Sequence, residues 1–224
     1  MSKKKINNNE PIAPDQALGK AEEFVLKYKK TFIAVILAII IFAALKAFNV
    51  FSSSDEENPA ANQAIANIEY YALSGDFGTA LNGDGTNMGL LEIIDTYGGT
   101  GAANKAHLYA GIIYAQQKQY EEAINHLSQY SGADNLIAAK AKQTLGNCYS
   151  QIGDYNTAIS LVLEAGANAD NVAVTPACWR DAAAMYEELG NADEALKLYN
   201  RIKDEFPYSP VAREANIKIN AAAK

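Results

Sequence analysis

The 224-residue chain has little cysteine, proline and histidine, and these shortages exclude several classes of protein. Its two cysteines, Cys148 and Cys178, are expected to be buried thiols, and no C-x-x-C occurs, so neither a disulfide scaffold nor a cysteine-based zinc or redox motif is predicted. Six prolines and 15 glycines are too few for a fibrous or linker protein. Acidic residues outnumber Lys and Arg by 26 to 19, which argues against nucleic acid as a partner because phosphate binding requires clustered basic side chains.

Motifs for catalysis and metal binding are also missing. The sequence has no Gly-rich phosphate loop and no G-x-S-x-G nucleophile motif. Asn82–Asn87 begins like a calcium loop, but Asn87 and Ile93 stand where that loop needs Gly and Glu, so a tight turn is expected. His107 and His126 fall on different predicted helices without a clustered cysteine or carboxylate, which argues against a metal site. We therefore expect a protein that has no enzymatic activity, no cofactor and no bound metal.

An apolar segment divides the chain into two parts of opposite charge. Residues 1–31 carry seven lysines and four acidic residues, whereas residues 52–224 carry 11 basic and 22 acidic residues. Between them Phe32–Leu45 is uninterrupted by polar residues, and the apolar pattern continues to Phe51 with one lysine and one asparagine. A helix of about 20 residues spans about 30 Å, the thickness of the hydrocarbon core of a bilayer. Residues 32–51 are therefore predicted to form a transmembrane helix.

Two other interpretations of this segment stay open. A buried helix of a soluble domain would normally show a polar stripe, and a cleaved signal peptide would need a shorter basic start and a small-x-small cleavage site. We favour an uncleaved signal anchor. Lysines precede the segment, and Asp55, Glu56 and Glu57 follow it. The positive-inside rule then places the N-terminus in the cytoplasm and the rest of the chain across the membrane.

These boundaries predict four regions. Residues 1–31 form a mostly disordered cytoplasmic tail, and residues 32–51 form the transmembrane signal anchor. Residues 52–57 form a solvated hinge, because they are serines and acidic residues. Residues 58–224 form a helical repeat domain.

The repeat domain is indicated by a recurring spacing of small and aromatic residues. A small residue stands three positions before a tyrosine, and an alanine follows nine positions after it, at Gly111/Tyr114/Ala123, Gly146/Tyr149/Ala158 and Ala183/Tyr186/Ala195. A weaker copy, with Ile68 in place of the small residue, precedes these three at Tyr71 and Ala80. Recurrence near 34 residues with helical periodicity is typical of stacked helix–turn–helix arrays. Small residues allow paired helices to cross at about 8–10 Å.

The segments QQKQYEEAINHL, SQIGDYNTAISLV and EELGNADEALKLY resemble the turn and second helix of the tetratricopeptide repeat. Trp179, Tyr199 and Pro207 match further positions of that family. The resemblance is marked over 105–207 and weaker over 58–81. It implies an all-α fold: the single N-terminal transmembrane helix is followed by an α-solenoid of about 3–4 helix pairs and a C-terminal capping helix.

Helix boundaries are predicted from capping residues. Three N-caps, each followed by a first-turn proline, are predicted at Asn58-Pro59, Thr175-Pro176 and Ser209-Pro210. Gly153 and Gly190 predict helices that end in a left-handed residue. A short helix is expected at 88–96, and a terminal amphipathic helix that covers the end of the array is expected at 209–223.

In the tetratricopeptide family the first helix of each pair lines a concave groove. Carried over by position, the resemblance implies a partner-binding groove formed by Glu69, Lys105, Leu108, Ile112, Gln116, Lys140, Gln143, Asn147, Gln151, Arg180, Ala184, Glu187 and Glu188. Lys105, Lys140 and Arg180 recur there as cations. Leu108 and Ile112 stand where the carboxylate-clamp groove of repeat co-chaperones needs Lys and Asn, which argues against that function. We expect capture of an extended peptide or a partner helix, while a solvated face without a ligand stays open.

The layout of tail, anchor and repeat domain resembles the YfgM-type family of inner-membrane proteins of Gram-negative bacteria, and IIDTYGGT resembles segments of Bacteroidota repeat proteins. The first resemblance implies a non-enzymatic scaffold in the bacterial inner membrane, with its repeat domain in the periplasm and ancillary to the Sec translocon. Expected partners are Sec translocon subunits, periplasmic chaperones or translocating chains, without nucleic acid or a small-molecule substrate. Two alternatives stay open: a scaffold for envelope or outer-membrane assembly, and an N-anchored organelle import receptor.

Overall fold

The computed structural model describes residues 58–132, 134–169 and 171–223. These residues form ten α-helices, numbered along the chain as α1 (Pro59–Ser74), α2 (Phe77–Asn82), α3 (Leu90–Thr96), α4 (Gly101–Gln116), α5 (Tyr120–Leu127), α6 (Asn135–Gln151), α7 (Tyr155–Ala169), α8 (Val174–Glu188), α9 (Ala192–Glu205) and α10 (Ala212–Ala222). The predicted tail, anchor and hinge at 1–57 lie outside the described residues. None of the described helices is both long and apolar enough to cross a bilayer.

The helices stack as an array of hairpins. The two helices of each of the pairs α4/α5, α6/α7 and α8/α9 pack together, and the second helix of each pair also contacts the helix that follows. The first helices α1, α4, α6 and α8 contact one another in that order. The predicted all-α solenoid is therefore confirmed for the described residues, with α1–α3 before the three pairs and α10 after them.

Gly111 and Gly146 show why small residues recur on the first helices. A Cβ atom on Gly146 would lie 2.7 Å from Val162 Cγ1 and 3.0 Å from the carbonyl oxygen of Ala158, both on α7. A Cβ atom on Gly111 would lie 2.6 Å from Leu127 Cγ on α5. These distances are shorter than van der Waals contact, so the helices can approach this closely only where a side chain is missing. The predicted close crossing is confirmed for both pairs.

The turns inside the hairpins share one backbone conformation. Gly153 and Gly190 follow α6 and α8 with φ angles of +86° and +72°, which confirms the predicted left-handed ends. Lys118 holds the equivalent position after α4, with a φ of +62°. This conformation costs a residue with a Cβ atom about 1–2 kcal/mol, because Cβ approaches the following carbonyl. The first hairpin is therefore closed by a strained residue.

α1 begins where the sequence predicts, but α10 does not. The Asn58 side chain accepts a hydrogen bond from the backbone N–H of Ala61 at 3.1 Å and so caps α1. α10 begins at Ala212 rather than at Ser209, because Ser209 closes a turn. Its N–H donates to the carbonyl of Phe206 at 3.0 Å, and its carbonyl accepts from the N–H of Ala212 at 3.1 Å.

Thr175 does not act as the predicted N-cap of α8. The helix already begins at Val174, because the side chain of Asn171 accepts a hydrogen bond from the Val174 N–H at 3.2 Å. The Thr175 hydroxyl instead donates to the carbonyl of Gly166 on α7, at 2.9 Å. The threonine therefore ties α8 to the preceding helix.

The loop between α2 and α3 is a tight turn built on Asp84. Its Oδ1 accepts a hydrogen bond from the backbone N–H of Asn87 at 2.7 Å, and its Oδ2 accepts from the hydroxyl of Tyr71 at 3.1 Å. Hydrogen bonds from Asn87 above all hold the pKa of Asp84 well below its usual range. The turn predicted at 82–87 is confirmed, and α3 begins at Leu90, inside the predicted segment 88–96.

α10 differs from the first helices that precede it. Counted from Pro210, Ile217 takes the position that Ala183 takes when counted from Pro176. The earlier first helices carry a small residue there, against their second helix, but Ile217 is 60% exposed. Ala212, by contrast, is buried in the core that α10 shares with α8 and α9. α10 thus packs on the array with one face and leaves more than half of the Ile217 surface exposed.

Candidate functional site

The predicted groove residues lie on α1, α4, α6 and α8, and the structure brings some of them together. A groove of about 670 Å³ between α6, α8 and α10 is lined by Asn147, Ser150, Gln151, Tyr155, Asp181, Ala184, Met185, Glu187, Glu188 and Lys218. We call it the C-terminal groove. It contains five of the residues predicted from sequence, namely Asn147, Gln151, Ala184, Glu187 and Glu188.

The predicted residues of α1 and α4 do not line the C-terminal groove. Leu108 and Ile112 are half-buried and pack against the core between α5 and α6, so their side chains contribute to packing. Glu69 accepts a hydrogen bond from the hydroxyl of Tyr109, which joins α1 to α4. Burial and then the Glu69 carboxylate raise the pKa of Tyr109 to about 12.

Asp181, which the sequence analysis did not single out, holds α6 against α8. Its Oδ2 accepts hydrogen bonds from Gln143 Nε2 at 2.7 Å and from Asn147 Nδ2 at 3.2 Å. Its Oδ1 accepts from Arg180 Nη2 at 2.6 Å. The Gln143 amide is satisfied on its other side, because Lys140 Nζ donates to its Oε1 at 2.9 Å. We call these five side chains the Asp181 network.

The three cations predicted on the groove have different surroundings. Arg180 pairs with Asp181 and also lies 3.8 Å from a carboxylate oxygen of Glu214 on α10. Lys140 belongs to the Asp181 network. Lys105 is exposed on α4, as is Gln116 at the end of that helix. Arg180 therefore makes a contact between elements, whereas the contact of Lys140 is with Gln143 on its own helix.

α10 supplies one wall of the C-terminal groove. Lys218 Nζ donates to Glu187 Oε2 at 2.6 Å, across the mouth between α10 and α8. Neighbouring Glu188 also lines the groove and is exposed. The terminal helix thus contributes to the surface of the site as well as covering the core.

Sequence reasoning missed five lining residues of this groove: Ser150, Tyr155, Asp181, Met185 and Lys218. One signal in the sequence points to Asp181. Gln143 and Asn147 stand four residues apart, so their amides share one face of α6, and a polar partner for both is expected on α8, the first helix of the following pair. No comparable signal marks Lys218, because the position of α10 depends on how its small residues pack against α9.

His107 and His126 lie close together, although the sequence gives them no common motif. They are on α4 and α5, as expected, but their Nδ1 atoms are 3.1 Å apart. The ring of Tyr114 stacks on His126, with ring centroids 5.4 Å apart. Burial lowers the pKa of both imidazoles, and His107 lowers that of His126 further. Among the described residues, no group of three or more His, Cys, Asp or Glu side chains could hold a metal ion.

Cys148 and Cys178 are free and buried, which confirms the prediction of two buried thiols. Burial raises the pKa of Cys148 to about 11 and that of Cys178 to about 12. Both side chains are therefore thiols at neutral pH and lack the thiolate character of a nucleophile.

Comparison with known proteins relates this architecture to one repeat family. Residues 176–219, which include most of α8, all of α9 and most of α10, match the family model described as the tetratricopeptide repeat. The match supports the family assignment for the last repeat and extends it into α10. No curated protein matches the chain.

Two solved structures share the fold. One, a crystal structure of MamA, superposes with a TM-score of 0.56 and 19% identity, over 69% of this chain and 81% of the other. A second structure of the MamA protein gives a TM-score of 0.57 and 19% identity, over 72% of this chain and 80% of the other. Sequence identity this low shows the fold alone. The described part of the chain is therefore a tetratricopeptide-like α-solenoid whose last repeat carries the family's sequence signature.

Proposed function

We propose that this chain is a non-enzymatic scaffold that binds protein partners in its C-terminal groove. The single observation that carries the proposal is the groove itself, an open channel of about 670 Å³ along two first helices and α10. Repeat arrays of this class present extended surfaces formed by successive repeats. A groove of this kind suits an extended peptide or a partner helix.

The lining of the groove supports a polypeptide ligand. Asn147 and Gln151 stand one helical turn apart on α6 and offer amide groups, which can donate to and accept from a peptide backbone. Met185 and Tyr155 add apolar surface beside them. The Asp181 network holds Asn147 in place, so less side-chain freedom is lost when a partner binds.

We further propose that residues 32–51 anchor the scaffold in a bacterial inner membrane, with the N-terminus in the cytoplasm and the repeats in the periplasm. The apolar segment and the lysines before it support this topology. The resemblance in layout to the YfgM-type family supports Sec translocon subunits, periplasmic chaperones or translocating chains as partners. Tethering raises the effective concentration of partners at the membrane, so weak contacts in the groove suffice.

A bulky side chain in the groove tests the binding proposal. Ala184 is an exposed lining residue of α8, and Ala184→Trp would fill the channel. Ser160→Trp, at an exposed position of α7 outside the groove, is the matched control. Affinity purification from membranes in mild detergent should recover the partner set with wild type and Ser160→Trp, and at least about fivefold less with Ala184→Trp, as expected when a central contact is lost. Equal recovery with both variants would contradict the proposal.

Protease accessibility tests the topology. Protease added to spheroplasts should digest the repeat domain and spare the N-terminal tail. Protection of the repeats in intact spheroplasts, followed by digestion after lysis, would place them in the cytoplasm and contradict the periplasmic assignment.

A further inference from the structure

The charges that line the C-terminal groove are predominantly negative. Asp181, Glu187 and Glu188 contribute three carboxylates, and Lys218 contributes the single ammonium among the lining residues. That ammonium is already paired, because Lys218 Nζ lies 2.6 Å from Glu187 Oε2. Asp181 is paired with Arg180, so Glu188 is the lining carboxylate that has no paired cation among the described residues, and a ligand entering the groove meets its negative charge.

Arg180, next to Asp181 on α8, is likewise not free to bind an acidic ligand. Arg180 pairs with Asp181 at 2.6 Å and lies 3.8 Å from Glu214. Its side chain is 35% exposed, so the guanidinium is partly covered in this position. Moving the guanidinium to an acidic partner would leave Asp181 Oδ1 without the cation that now donates to it.

We propose that the C-terminal groove selects a basic segment, an extended stretch of polypeptide that carries Lys or Arg opposite Glu188. This proposal rests on the proposed function and narrows it to one chemical class of partner. Charge complementarity across an interface sets specificity and the rate of association, because like charges brought together are strongly disfavoured. No described residue pairs with Glu188, so its carboxylate is available to a cation from outside.

The walls of the groove also suit a long basic side chain. Met185 and Tyr155 line the groove beside the carboxylates. Lys and Arg pack their aliphatic stems on apolar surface while the charged head reaches a polar partner. The side-chain amides of Asn147 and Gln151 can hydrogen-bond to the backbone of the same partner segment. A single extended segment would then make both side-chain contacts with the carboxylates and backbone contacts with the amides.

A library of random peptides tests the proposal, because selection from it requires no identified partner. The probe is a phage-displayed library of random 12-residue peptides, selected on the full chain held in mild detergent. Binders of the wild-type chain should be enriched in Lys and Arg over Asp and Glu by at least about threefold. Glu188→Lys should abolish or reverse this enrichment, whereas Asp204→Lys should preserve it, because Asp204 is an exposed acidic residue near the end of α9 and outside the groove.

The outcomes separate this proposal from the proposed function. Ala184→Trp should lose the basic binders. If selected peptides bind wild type and are lost with Ala184→Trp but show no basic bias, the scaffold function stands and the basic-segment proposal is overturned. If the same peptides still bind the Ala184→Trp variant, the groove is not the binding site, and both the scaffold proposal and the basic-segment proposal are overturned. Equal enrichment with Glu188→Lys and wild type would also overturn the present proposal.

Discussion

Gln143 on α6 and Asp181 on α8 are joined by a hydrogen bond of 2.7 Å that crosses the boundary between two repeats. Gln143 is only 5% exposed, so its amide has little access to water. A buried amide without a partner costs about 1–3 kcal/mol, which makes this bond a strong constraint on how the two helices are rotated relative to each other. The groove residues beside it, Asn147 and Ala184, take their positions from the same contact.

Removing the carboxylate should therefore destabilise the array. Asp181→Ala leaves Gln143, Asn147 and Arg180 without their shared acceptor, and we expect the free energy of unfolding to fall by about 2–4 kcal/mol. Urea unfolding followed by circular dichroism measures the loss. Asp204→Ala, at an exposed position, should change stability by less than about 0.5 kcal/mol. A similar small change for Asp181→Ala would show that the network adds nothing to stability.

A side chain at Gly146 should be poorly tolerated. Its Cβ would lie 2.7 Å from Val162 Cγ1, so Gly146→Ala should cost about 1–3 kcal/mol and Gly146→Leu more, because α6 and α7 must separate. The control is Gly78→Ala in α2, where a Cβ meets no atom within 4 Å, and a gain of about 0.5–1 kcal/mol is expected. Thermal melting compares the variants. A melting temperature of Gly146→Ala equal to that of wild type would refute the close crossing.

Lys118→Gly should stabilise the first hairpin. The φ of +62° costs Lys118 about 1–2 kcal/mol, while glycine adds about 0.5–1 kcal/mol of unfolded-state entropy. The net gain expected is about 0.5–1 kcal/mol in the free energy of unfolding. The reciprocal change, Gly153→Ala at a φ of +86°, should destabilise by about 1 kcal/mol. The prediction fails if Lys118→Gly lowers the midpoint of urea unfolding.

The histidine pair should make stability depend on pH. Burial lowers the pKa of His107 and His126 in the folded state, so the unfolded chain binds more protons once the pH falls below the ordinary histidine value of about 6.5. Stability should be fully present above that value and decline as the pH falls through it toward the folded-state pKa values. Glu122 acts in the opposite direction on His126. Tyr114 stacks on the same ring.

Urea unfolding at about pH 7.5 and about pH 5.5, on either side of the ordinary histidine pKa, measures this dependence. His126→Phe retains an aromatic ring for Tyr114 to stack on and removes one of the two titrating groups, so its stability should fall less between the two pH values. A variant that loses as much stability on acidification as wild type would assign the pH dependence to other groups.

The sequence alone predicts those features of the fold that have a local cause. Gly146 and Ala158 mark a helix crossing because two helices cannot approach closely around larger side chains, and Gly153 marks a turn because its φ suits glycine. The contact between His107 and His126 has no such local signature, since it depends on how far α4 and α5 rotate about their axes. The contacts of Asp181 with Gln143 and Asn147 likewise depend on how α8 is rotated against α6, although the spacing of the two amides is visible in the sequence.

The helix starts also divide into those determined by neighbouring residues and those determined by residues distant in sequence. Asn58 caps α1 through a hydrogen bond to a residue three positions away, so its role can be predicted from neighbouring residues. Thr175 has the same kind of local pattern, but its hydroxyl finds the carbonyl of Gly166 on another helix. A competing partner that is distant in sequence overrides the local preference, and only the packed structure reveals it.

The exposed Ile217 on α10 has a consequence for the growth of such arrays. A further helix that docked on α10 as α7 docks on α6 would cross it at this position, where α6 and α8 carry Gly146 and Ala183 and a larger side chain would hold the two helices apart. Duplication of a repeat after α10, whether by recombination or by protein engineering, would therefore yield an array that fails to extend until Ile217 is replaced by glycine or alanine. A single branched side chain would thus hinder the addition of repeats at this end of the described array.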